Sequence, residues 1–135
     1  MASAWYPKGK QALMNKQIDV DTDTIKVRAV SDAGYTYSTA HDFMDDVTAY
    51  VGSTDATLAS VDITTTPGSV DAADLSPAFS SLAQNATDTI DGLVIYYFNT
   101  NDTSSIPLIY IDLAASTTPN GGDINITWDT VIGAL

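Results

Sequence analysis

Thr89-Ile-Asp-Gly-Leu-Val-Ile-Tyr-Tyr-Phe98 is the stretch on which the fold turns. Its second half is apolar at every position. An extended chain sends alternate side chains to opposite faces, so such a run needs cover on both sides. The stretch therefore reads as a central strand. A polar loop, Asn99 to Ser105, leads to Pro107-Leu-Ile-Tyr-Ile-Asp-Leu113, a second largely buried strand. Upstream, Thr24-Ile-Lys-Val-Arg-Ala-Val30 alternates: Ile25, Val27 and Ala29 fall on one face, Lys26, Arg28 and Val30 on the other. That period marks a strand with one buried face and places Lys26 and Arg28 on the wet one.

Further strands are expected around Leu58, Val61 and Ile63, ended by Pro67-Gly68, and at Ile124, Ile126 and Trp128, which alternate with Asn125 and Thr127. Val70 to Phe79 holds Pro77 and so reads as an edge strand or a broken one. Thr118-Pro-Asn-Gly-Gly-Asp123 is a turn, its glycines able to supply positive φ. Residues 8–17 read as a short helix with Leu13 and Met14 facing inward. The strongest helical spacing lies in Ser38-Thr-Ala-His-Asp-Phe-Met-Asp-Asp-Val-Thr-Ala-Tyr-Val51: Phe43, Val47, Tyr50 and Val51 share a face, Ser38 or Thr39 caps it and Gly52 closes it. Six or seven strands with one or two short helices predict a mainly β fold, a single-domain β-sandwich or jelly-roll-like barrel. One β-rich domain is expected over residues 1–135, with residues 1–17 an N-terminal arm or short helix.

All 17 acids are Asp, and all five bases, Lys8, Lys10, Lys16, Lys26 and Arg28, fall within the first 28 residues. Against Asp19, Asp21 and Asp23 those bases leave a net of +2, and the other 107 residues carry 14 Asp and no base, so that +2 and −14 give the net charge of −12. Such a body repels nucleic acid and anionic membrane, and neither is expected as a partner. Most of the Asp residues are expected in turns or in solvent. The start of the chain lacks a basic segment followed by an apolar one, and no run approaches the ~18 residues of a membrane span, so synthesis in a cytoplasm is expected. The sequons at Asn85, Asn101 and Asn125 read as accidents of a Thr-rich and Asn-rich chain.

Chemistry-bearing patterns are weak. There is no cysteine, and the sole histidine, His41, neighbours Ser38 and Asp42 without a nucleophile elbow, so no catalytic residue is expected. No cofactor is expected either. Asp19-Val-Asp-Thr-Asp23 has the spacing of a calcium loop, but Thr24 stands where an EF-hand needs Gly and Val30 where it needs Glu. Asp19, Asp21 and Asp23 can converge on a cation or form Asx turns, and turns are the expected use. The neighbouring acids Asp45 with Asp46 and Asp71 with Asp74 are pairs that seventeen Asp residues produce by chance. Trp5, Tyr6, Lys8 and Lys10 form the one candidate contact element, able to bury an aromatic anchor and pair lysines with a partner's acids. The alternative is that Trp5 and Tyr6 cover the domain's own core.

Four pieces in order carry a family likeness: Lys8-Gly-Lys-Gln-Ala-Leu-Met-Asn15, Ile18-Asp-Val-Asp-Thr-Asp-Thr-Ile-Lys-Val27, Ala40-His-Asp-Phe-Met-Asp-Asp-Val47 and Thr118-Pro-Asn-Gly-Gly-Asp-Ile-Asn-Ile-Thr-Trp128. Together they resemble a group of small virion proteins of tailed bacteriophages. Val20 departs from an aromatic in that group, and residues 52–106 have no counterpart in the pattern. The resemblance implies a structural protein without catalytic residues. The leading expectation is a capsid decoration or cement protein on the head exterior. Its partner would be the major capsid protein lattice, with self-association as a trimer, and residues 1–10 would be the anchor, removable without loss of the fold. The alternative is a tail, neck or fibre component, including a receptor- or glycan-binding module, which needs Tyr96, Tyr97 and Tyr110 exposed.

Overall fold

A computed structural model describes residues 3–64, 69–128 and 133–134. In chain order the elements are β1 (Ala4–Trp5), α1 (Pro7–Met14), β2 (Ile25–Val30), β3 (Ala56–Thr57), β4 (Asp62–Thr64), β5 (Ser69–Asp71), β6 (Leu75–Phe79), β7 (Ile90–Tyr97), β8 (Ile106–Thr117), β9 (Ile124–Ile126) and β10 (Gly133–Ala134). The fold is mainly β and sandwich-like. Its principal sheet runs β1-β8-β7-β2-β3 with every pairing antiparallel. β4, β5 and β10 form a second sheet, and β6 pairs with β9 in a third.

β7 is the central strand, as its doubly apolar second half requires. It pairs with β2 from Ile25↔Tyr97 to Val30↔Gly92 and with β8 from Tyr97↔Ile106 to Ile90↔Thr117. Leu93 and Ile95 point into an aliphatic core with Ile25, Val27, Ile106 and Leu108, covered by Phe79 of β6, Leu82 and Ile126 of β9. Val94 and Tyr96 point the other way, into a second core with Tyr6, Val30, Tyr35, Met44, Val47 and Tyr110. A register shift between Ile95 and Tyr96 lets Leu108 and Ile109 both reach the aliphatic core while Tyr110 turns to the second one. Pro77 lies in β6, which among the described residues pairs with β9 alone, where a missing N–H breaks no central ladder. The turn at 118–123 carries Gly121 at φ +88°, the positive value its sequence allowed. Pro67-Gly68 lies outside the described residues.

Three sequence expectations fail here. Arg28 is not on a wet face: it is 7 % exposed, beneath the segment 31–50 that covers the second core. That segment is not a helix beyond one 3-10 turn, Met44–Asp46. Val47 turns into the second core, and Tyr50 and half-buried Phe43 into the aliphatic one, but Val51, expected on the same face, is 62 % exposed, and the backbone bonds leave the segment. The Met44 and Asp45 N–H groups donate to Ser105 O and Asp102 O, and the Tyr50 N–H donates to Ala29 O. The carbonyls of Met44 and Val47 accept from Arg28 at 3.1 and 2.8 Å, so tertiary bonds replace the helical ladder. Met14 does not face inward either; it is 84 % exposed, while Ala12 and Gly9 form the buried face of α1.

α1 begins with Pro7 in its first turn, where the missing N–H costs nothing. It packs so close to β8 that a Cβ on Gly9 would lie 2.5 Å from Pro107 O and 2.8 Å from the Leu108 Cα. The helix ends in a Schellman turn: Gln17 N–H donates to Ala12 O and Lys16 N–H to Leu13 O. The left-handed position of that turn, commonly glycine, is Lys16 at φ 58°. The N-terminal segment is thus a docked helix rather than a free arm.

Candidate docking surface

The fold separates the five bases into spent and free groups. Arg28 is fully engaged: Nε donates to Asp55 Oδ2 at 2.9 Å, Nη1 to the two carbonyls named above, and Nη2 to Asp102 Oδ1 at 2.9 Å. Tyr96 donates its hydroxyl to the same Asp55 oxygen at 2.7 Å. Burial pushes the Arg28 guanidinium down, but hydrogen bonds to Asp55 and Asp102 outweigh it and hold its pKa above the usual value. Lys26 Nζ sits 3.9 Å from the centroid of the Phe98 ring and Lys8 Nζ 5.4 Å from that of Phe43, both within reach of a cation–π contact. Lys10 and Lys16 have no carboxylate or aromatic ring partner among the described residues.

Those two lysines line the same groove. It has a volume of about 610 Å³ and lies between α1 and the segment that follows it. Ile18 and Val20, both buried, and half-buried Leu13 form its apolar wall; exposed Met14 forms its lip. Asp19 joins the lining, with Oδ1 accepting the Asp21 N–H at 3.2 Å. The groove exists because the Schellman turn reverses the chain after Met14 and brings Ile18 and Val20 back beside Leu13.

The four residues expected to make the contact element divide. Tyr6 is 0 % exposed and belongs to the second core, so it cannot reach a partner: the alternative of self-cover holds for it. Trp5 is half-buried on β1, against the aliphatic core. Lys8 is half-exposed over Phe43, and Lys10 is exposed. Removing residues 1–10 would therefore extract Tyr6 and Gly9 from packed positions, and the fold would not survive it unchanged. Sequence reasoning missed Leu13, Met14, Lys16, Ile18 and Val20 as a surface. The available signal was that Lys10 and Lys16 bracket the apolar pair Leu13-Met14.

A second convergence of titratable groups lies over the other core. The hydroxyls of Tyr6 and Tyr35 share a hydrogen bond of 2.6 Å, and the Tyr35 hydroxyl lies 2.9 Å from His41 Nδ1. Burial pushes Tyr35 up to about 12 and Tyr6 further, so both hydroxyls stay protonated at neutral pH and act as hydrogen-bonding groups. His41 thus faces Tyr35, while the Ser38 hydroxyl accepts the Ala40 N–H at 3.1 Å. The imagined Ser38, His41 and Asp42 set is not assembled.

Several of the acids close local turns, as expected, while others, Asp74 among them, reach across the fold. Asp23 Oδ2 accepts the Asp19 N–H at 2.8 Å, and with the Asp19 contact above the calcium-like segment closes on its own backbone. Among the described residues no group of three or more His, Cys, Asp or Glu is placed to hold a metal ion. Asp46 accepts the Asp42 N–H, Asp71 the Ala72 N–H and Asp74 the Trp128 N–H. Tyr96 and Tyr110 are 2 % and 4 % exposed, which removes two of the three aromatics a glycan-binding patch there would need. Among the described residues no helix is long and apolar enough to cross a membrane. No protein-family model, no curated protein and no solved structure matches the chain.

Proposed function

We propose that the chain is a structural protein of a tailed-bacteriophage virion. In this reading it decorates or cements the outside of the assembled head, with the major capsid lattice as its partner. The observation that carries the contact surface is the pairing of Lys10 and Lys16 with one apolar groove, on a chain whose residues 29–135 have a net charge of −14. The resemblance of four sequence pieces to small phage virion proteins supports the setting. The acidic body faces solvent and keeps particles apart. A protein that binds only the assembled lattice stabilises that lattice by mass action, and many copies multiply the effect.

Co-sedimentation with heads stripped of the protein tests this. Saturable binding near a simple multiple of the capsid subunit number, weakened by salt, is the expected result. Absence of binding to heads, with binding to purified tails, would move the protein to the tail or neck.

A further inference from the structure

We infer that the groove between α1 and residues 16–20 captures an apolar side chain flanked by carboxylates, displayed on a segment of a different protein. This deepens the docking reading above and rests on it. Exposed Met14, at 84 %, and half-buried Leu13 supply the apolar surface that an entering side chain covers, over a floor of buried Ile18 and Val20. Methionine suits that task, being unbranched and adaptable. Charge selects what flanks the anchor. Lys10 and Lys16 lie on the same groove and are the two bases the fold leaves without a carboxylate or ring partner among the described residues. Asp19, the other charge in the lining, is already turned to its own backbone and disfavours a carboxylate beside it, so the partner's acids belong at the lysines.

Two further observations narrow the occupant. Each copy of this chain has a net charge of −12, so the occupant carries its acids locally, on a body that is not itself strongly acidic, and a second copy, repelled as a whole, does not qualify. And Lys16 occupies the left-handed position of the Schellman turn at φ 58°, where glycine fits without strain and supplies no charge. Lysine there adds a charge to the groove that glycine would not, at a conformational cost that four other non-glycine residues among those described also bear.

The experiment is fluorescence anisotropy of the full-length protein with a labelled probe peptide, Asp-Asp-Ala-Leu-Leu-Ala-Asp-Asp, and with its counterpart carrying lysines in place of the aspartates. The acidic probe is expected to bind about tenfold or more tightly than the basic one, the difference shrinking as salt is raised. Met14→Asp and the double variant Lys10→Glu, Lys16→Glu, all at exposed positions, should each weaken the acidic probe about tenfold. Lys16→Gly separates binding from folding: it should melt at a higher temperature than the parent chain and yet bind the probe more weakly. Equal binding of the two peptides, or unchanged binding by these variants, overturns the assignment. So does a concentration-dependent oligomer of the parent chain that Met14→Asp dissolves, since a second copy would then fill the groove. Head co-sedimentation run beside it keeps the two readings apart. Heads bound equally by parent and variants overturn the groove and leave decoration standing. Probe binding lost in the variants, with heads never bound, sustains the groove and overturns decoration.

Discussion

The two faces of the principal sheet are built on different physics. One is aliphatic: Ile25, Val27, Leu93, Ile95, Ile106 and Leu108 meet Phe79, Leu82 and Ile126, and area removed from water holds the contact. The other carries Tyr6, Tyr35, Tyr96 and Tyr110, with Arg28 beside Tyr96, and its cover, residues 31–50, is fixed by directed bonds to that guanidinium and to the sheet. Non-directional burial tolerates exchange of one aliphatic shape for another. A buried charge with five donors and named acceptors does not. The aliphatic face therefore sets the class of the fold, and the polar-handled face sets which way one irregular segment lies.

That contrast can be broken most directly at Arg28. Arg28→Ala should lower stability by about 3–5 kcal/mol, because it strands Asp55 and the Met44 and Val47 carbonyls in a buried site. Ile95→Val, on the aliphatic face, should cost only about 1 kcal/mol. Denaturant unfolding of both variants decides the matter, and equal losses would erase the distinction. Gly9→Ala tests whether the non-directional side has its own point of rigidity. The new methyl would meet Pro107 O, a backbone atom that cannot swing aside, and a loss of about 1–3 kcal/mol is expected in the same assay.

A titration sharpens the contrast further. Tyr35 is raised in the folded chain to about 12, and Tyr6 and Tyr96 are raised as well, all chiefly by burial. The folded state then binds more protons than the unfolded one once pH passes the ordinary tyrosine value of about 10. Stability is whole below that pH and falls as pH rises through about 12 for Tyr35. Tyr35→Phe should flatten that alkaline slope, while Ile95→Val leaves it unchanged. The smallest effect is expected at Asp91, which ties the entry of the covering segment to the sheet by accepting the Asp32 N–H at 2.8 Å and the Thr89 and Ser116 hydroxyls. Burial pushes its carboxyl up, but these hydrogen bonds win and hold it below the usual value. Its contribution is present above about pH 4 and lost as pH falls further, so Asp91→Asn should shift the acid limb of a stability–pH curve slightly and leave the alkaline limb in place.

How much was legible follows the same division. The central strand was readable because two buried faces leave no room for polar residues between Leu93 and Tyr96, a purely local signature. Arg28 was not, because period two assigns it to solvent and its partners Asp55 and Asp102 lie 27 and 74 residues away. The spacing of Phe43, Val47, Tyr50 and Val51 reported that the first three turn inward, but not that they divide between two cores, that Val51 faces solvent, or what the backbone does between them, since the sheet and the loop at 99–105 take the bonds a helix would have made. Of the candidate contact residues, Lys10 was legible as an exposed base. Tyr6 was not, since burial of a tyrosine depends on what packs above it. The groove was hidden because it forms only when Lys16 takes a left-handed turn, a conformation its side chain gives no reason to expect.

The pairing order of the principal sheet has a consequence for synthesis. β1 and α1 rest on β8, β2 pairs with β7, and the Arg28 cage closes only with Asp102. Within this chain β1 thus has no strand partner until β8 is made, and β2 meets only the two residues of β3 before β7 follows. Folding must wait for long-range closure and will be slow for the chain's length. During that interval a nascent chain exposes Ile25, Val27 and Val30 while the Asp residues accumulate behind them. The excess negative charge then protects the molecule before it is a fold, by keeping half-made copies apart.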